Sequence, residues 1–197
     1  MRTAVLTLIM TAFVITGTAA GFIYAGIYNV AADEPHWPLT HRLLELVRIR
    51  SIRAHASSLT PPKDLESDAR LVVGTEHFAA HCAICHGAPG VPRGEIAKGL
   101  YPRPPDLAQT AQRYTPGEIF WIIKNGIKMS AMPSWADHSD DELWSTVGFI
   151  EKLPDMNESA YAKLVMQSLM QGSHHHHDGA GQESMPDMPG PDGNHAR

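Results

Sequence analysis

Cysteine is all but missing: the chain of 197 residues has only Cys82 and Cys85. At that spacing they could bridge only a tiny loop, which excludes a disulfide scaffold. A surplus of basic charge is missing too. Lys and Arg number 16 against 21 Asp and Glu, for a net charge of −5, so the chain offers no basic surface for phosphates, and nucleic-acid binding is excluded. Period-two alternation of apolar and polar residues is absent, which argues against strands and for an all-α chain. The length accommodates one domain of roughly 100–150 residues with appendages, not a second full domain. No internal repeat is present.

Charge is absent altogether from Thr3 to Ala32, and the apolar part, Ala4 to Tyr28, is long enough to cross a hydrocarbon core of about 30 Å as a helix. A cleaved signal peptide is the competing reading, with Val30-Ala31-Ala32 as the cleavage site. Its apolar region is usually about 7–15 residues, shorter than this run, so residues 1–32 read as an uncleaved anchor. Arg2 flanks one end and Asp33 and Glu34 the other, so the positive-inside tendency puts the amino terminus in the cytoplasm and everything after Asp33 outside. Residues 33–66 form the next unit. From His36 to Ala56, Leu43, Leu44, Val47 and Ile52 recur at near-helical spacing among Arg42, Arg48, Arg50 and Arg53, the pattern of a basic amphipathic helix. Such a helix suits anionic lipid, an acidic partner or a packed stalk, and periodicity does not choose among them. The Ser57 to Pro62 run reads as a linker.

Residues 67–154 hold the chemistry. A helical pattern from Asp68 to Ala80 with Leu71, Gly74 and Phe78 on one face leads into Cys82-Ala83-Ile84-Cys85-His86. In a C-x-x-C-H arrangement, two thiols on one turn each add to a vinyl group of one haem, and the adjacent His86 is placed as the proximal iron ligand. A structural zinc site would want a second Cys pair, which is absent. A thioredoxin-type dithiol would want a βαβ context, equally absent. A loop rich in Gly and Pro follows from Gly87 to Pro105. Thr115-Pro116-Gly117-Glu118 then predicts a capped helix start, and Gly126 its end. Ser139, followed by Asp140, Asp141 and Glu142, predicts another helix, running toward Pro154. Between these two helices lie two candidate thioethers, Met129 and Met132. Pro133 restricts Met132 to extended backbone and stiffens the loop presenting its sulfur. Met129, close to the preceding helix, is expected to pack into the apolar core.

From Asp68 to Pro154 the chain resembles a class I monohaem cytochrome c, and Tyr28 to His55, with Asn29-Val30-Ala31-Ala32 and His36-Trp37, looks like the leader of a membrane-anchored proteobacterial branch. The likeness runs in order through the helix with Gly74 and Phe78, C-x-x-C-H, Pro104-Pro105-Asp106-Leu107, the Met132-Pro133 pair and the closing amphipathic helix. The resemblance implies an all-α class I cytochrome c fold of three main helices around one covalently bound haem c, behind an N-terminal transmembrane helix. It implies that the Pro105 carbonyl accepts the second N–H of the His86 imidazole, and that Met132 is the second axial ligand. The implied role is one-electron transfer at the outer, periplasmic face of a bacterial inner membrane, without catalysis. Redox partner proteins, such as a respiratory-chain or dehydrogenase donor and acceptor, would serve it, alone or with the chain as a subunit of a larger membrane complex.

Arg103 reads equally as a partner of a haem propionate or as an ordinary surface residue. Trp121, Trp135 and Trp144 read as packing residues. A short helix is expected within 155–171 and a disordered tail over 172–197, where His174 to His177 and His195 offer metal-binding imidazoles. Two further function classes remain: a haem enzyme such as a peroxidase, with a vacant sixth position, and a metal-handling protein acting through the His-rich tail.

Overall fold

The computed structural model describes residues 1–175, and among these the chain is helical, with an isolated bridge between Ala88 and Val91 as its nearest approach to a sheet. The expected all-α class holds. Helix α1 (Arg2–Tyr24) is apolar all round and buries none of its 23 residues. At 1.5 Å per residue it spans roughly 35 Å, and it is long and apolar enough to cross a membrane. It is compatible with a single-pass anchor. Around its end, Phe22 of the last turn and Tyr28 beyond it pack edge-on against Trp37, and Tyr28 Oη lies 2.6 Å from His36 Nδ1. The His36 backbone N–H donates to Tyr101 Oη at 3.0 Å. An aromatic clasp therefore joins the end of α1 and the segment after it to the loop of Tyr101, 65 residues beyond His36.

Helix α2 (Pro38–Ala56) starts with Pro at its first position, where the missing N–H costs nothing. Its two ends differ. Ile52 and Ala56 are buried where the helix meets α7 (Pro116–Asn125), while Leu39, Leu43, Leu46 and Val47 are exposed. The carboxyl-terminal half is thus a packed stalk, and the amino-terminal half keeps an uncovered apolar face.

The frame of the domain is the pair α3 (Asp68–His77) and α8 (Asp140–Lys152). Ser67 and Ser139 cap their first turns, accepting from the Arg70 and Glu142 backbone N–H groups. A Cβ at Gly74 would collide with the Ser145 carbonyl, so glycine lets the two backbones touch. Below that contact, Phe78 and Phe149 are fully buried with ring centroids 4.8 Å apart. Helix α7 completes the frame; its capping box between Thr115 and Glu118 is present, and Gly126, at φ 67°, ends it as expected.

The helix expected to run uninterrupted to Ala80 instead changes pitch. After α3 a π-helical turn, Phe78–Cys82, leads into the single turn α4 (Ala83–His86). The wider turn admits one extra residue, and Phe78 and Cys82 are both buried. Short helices α5 (Glu95–Lys98) and α6 (Leu107–Thr110) punctuate the Pro-rich stretch. Helix α9 (Glu158–His175) is longer than the expected 155–171 segment and starts later; no proline interrupts it, and Gly172 alone costs only about 1 kcal/mol. It also covers the core, burying Tyr161 beside Phe149 and Ser168. The expected disorder of the tail from residue 176 on, and with it His176, His177 and His195, lies outside the described residues.

Candidate functional site

The Cys82 to His86 segment occupies the end of the α3–α4 helical run. Cys82 is buried and Cys85 half-buried, and neither is in a disulfide. Burial pushes the Cys82 thiol up to about 12, with the Cys85 thiol beside it adding to the effect. Gly87, at φ 74°, terminates α4 in a left-handed conformation that glycine adopts without strain. The chain then folds back on itself: Gly94 N–H donates to the Ile84 carbonyl at 2.8 Å, and Arg93 Nε donates to the His86 carbonyl at 3.3 Å.

That return brings Pro105 to His86. His86 Nδ1 lies 2.9 Å from the Pro105 carbonyl oxygen. A carbonyl can only accept, so Nδ1 carries the proton and Nε2 presents its lone pair. Burial lowers the His86 pKa; the Pro105 bond opposes the shift, and the Arg93 charge adds to it. Burial thus favours the neutral imidazole, the form that ligates a metal. Beside it opens a cleft of about 390 Å³ walled by Pro89, Val91, Leu107, Leu153 and Met156. Two thiols, an oriented imidazole and an apolar wall fit a covalently attached haem.

Of the remaining expected residues, Arg103 is exposed and stands away from His86, in a smaller cleft with Arg93, Ala97 and Lys98. Met132 is half-buried on the loop between α7 and α8. Its carbonyl accepts from Ile127 N–H at 3.1 Å and its N–H donates to Ser130 Oγ at 3.2 Å. Neither Met132 nor Met129 lines the cleft beside His86. Met129 does not pack into the core: it is 76% exposed, with φ 58°. The bond between Ile127 and Met132 closes a small loop whose tip is residues 128–131, which puts Met129 outside.

Two features escaped the sequence reading. Arg93 touches both clefts, and nothing in its neighbourhood distinguished it from other surface arginines. His77, His81, Trp135, His138 and Glu142 form a compact cluster: His77 Nδ1 is 2.9 Å and His138 Nδ1 is 3.1 Å from the two carboxylate oxygens of Glu142. The one available signal was the helical spacing of His77 and His81.

Residues 69–150, under half of the chain, match a family model described as Cytochrome C oxidase, cbb3-type, subunit III. No curated protein matches the chain.

Proposed function

Starting from the c-type cytochrome domain of residues 69–150, whose cofactor is covalently bound haem c, we propose that the protein transfers single electrons with His86 and Met132 as axial ligands at the outer face of a bacterial inner membrane. A domain of this class is a haem electron-transfer module. The haem supplies reversible one-electron exchange at its iron.

The bond from His86 Nδ1–H to Pro105 carries this reading. It fixes the tautomer and the ring orientation and leaves Nε2 available for the iron, the arrangement seen for metal-bound histidines generally. Cys82 and Cys85 provide the covalent tether on the turn before it. Leu107, Leu153 and Met156 give the cleft an apolar side, beside Arg93 and Asp106, against which a haem face could pack. Met132, held by Ile127 and Ser130, supplies the second ligand; the proline after it limits the freedom of its backbone. Arg103, with Arg93 and Lys98 beside it, offers cationic partners for haem carboxylates.

Helix α1 supports a single-pass anchor, and Arg2 at its first position with Asp33 and Glu34 after it supports a periplasmic haem domain. The partners are then respiratory-chain donors and acceptors in or at the same membrane, with the chain acting as a subunit of a membrane complex. A spectroelectrochemical titration of the haem-loaded full chain tests the function. A reversible one-electron wave and slow or absent CO binding to the reduced protein are expected. Rapid CO binding would point to an open coordination position and a peroxidase-class enzyme instead.

A further inference from the structure

We infer that His77, His138 and Glu142 form a binding site for a divalent cation of the zinc class, separate from the haem attachment site and from the histidines of the tail. The three donors come from three segments: α3, the stretch following Met132-Pro133, and the first turn of α8. One ligand atom from each lies within 4.8 Å of the other two. Zinc bonds of about 2.0–2.2 Å in tetrahedral geometry set donors roughly 3.4 Å apart. His77 Nδ1 stands 2.9 Å from one Glu142 oxygen and His138 Nδ1 3.1 Å from the other, so both imidazoles already converge on the one carboxylate at close to that spacing.

The surroundings are those of a site. His77 is 3% exposed; its Nδ1 faces Glu142, and its Nε2 is buried without a hydrogen-bond partner, so this imidazole holds a polar atom the protein itself leaves unpaired. Trp135 packs against His77, His81 and His138 with centroids 5.6, 4.9 and 5.4 Å away, an apolar wall that strengthens electrostatic contacts inside it. Two imidazoles and one carboxylate select zinc, copper or nickel over the hard cations calcium and magnesium, which take oxygen ligands. His81, exposed, lies 4.8 Å from His77 and 5.5 Å from His138 between ring centroids and adds a further imidazole beside the cluster. A cation bound there would staple the Met132 loop to α3.

The test is calorimetric titration of zinc into the haem-loaded full chain carrying His174→Ala, His175→Ala, His176→Ala and His177→Ala, so that the tail does not compete. One zinc per chain is expected, with affinity at least thirtyfold weaker in His138→Ala and in Glu142→Gln. Both positions are partly exposed, and Gln keeps the size of Glu, so the visible spectrum and zinc-free melting of these variants should match the parent. Absence of saturable binding, or a site equally tight in both variants, overturns the proposal. Haem content and reduction are recorded in the same samples, so a failure here is distinct from a failure of the electron-transfer reading.

Discussion

The two halves of the proposed haem site are built differently. On the His86 side, attachment and orientation come from the end of a helical run, and the Phe78 and Cys82 side chains of that run are buried in the core. On the Met132 side, a loop of hydrogen bonds closes on itself, with the left-handed, exposed Met129 at its tip. A helix end is over-determined by packing, whereas a closed loop is fixed mainly by its own few bonds. The His86 side should therefore respond to substitution by losing the cofactor, and the Met132 side by retuning it.

The largest effect should come from Cys82→Ser combined with Cys85→Ser, which removes both thioether positions. Haem staining after denaturing electrophoresis should fall to background, against full retention in the parent. On the loop side, Met132→Ala should abolish the far-red sulfur-to-iron band and lower the potential by on the order of 0.1 V, a fraction of the roughly 0.8 V range that axial ligands command. Met129→Leu should change neither. Survival of the band in Met132→Ala with its loss in Met129→Leu would reverse the assignment.

Two glycines sharpen the contrast. Gly74→Ala forces a methyl group into the Ser145 carbonyl and should cost about 3 kcal/mol, on the order of 15 °C in melting temperature. Gly126→Ala, at φ 67° and with a Cβ that would approach Pro133 to 2.6 Å, should cost about 1–2 kcal/mol while weakening the far-red band. Equal melting shifts with an unchanged band would erase the distinction between frame and loop. The smallest effect is expected at Arg70, which sits 3.0 Å from Asp64 and 2.8 Å from Asp141. The Arg70 guanidinium holds the Asp64 carboxyl below its ordinary value of 3.8. The contribution is thus fully present above pH 3.8 and lost as pH falls through the lower folded value. Arg70→Gln should lower stability slightly at neutral pH, and the difference from the parent should vanish as pH falls below the folded Asp64 value, so that denaturant midpoints measured from pH 7 down to pH 2 converge.

Helix ends were the most legible part of the sequence. Thr115-Pro116-Gly117-Glu118 and Ser139 start helices where their capping chemistry predicts, because a cap is settled within four residues. The C-x-x-C-H pattern was legible for the same reason. Pro105 was reached only through family resemblance, since its bond to His86 spans 19 residues. Met129 was misplaced because the bond that ejects it, from Ile127 to Met132, is a closure of the loop that hydrophobic periodicity does not encode. The His77, His138 and Glu142 cluster was invisible because α3 and α8 must pack before residues 65 positions apart can meet. The packing of α9 on the core was missed likewise.

The aromatic clasp of Tyr28, His36, Trp37 and Tyr101 bears on how this protein meets its partners. A domain on a slack tether explores a hemisphere of solution above its anchor, and its encounters scale with volume concentration. A domain held against the end of its anchor explores little more than its own footprint. With α1 in a bilayer, its encounters are then set by how many partners occupy each unit of membrane area and how fast they drift sideways. Crowding of the membrane plane, and not the contents of the surrounding fluid, would govern the current it carries.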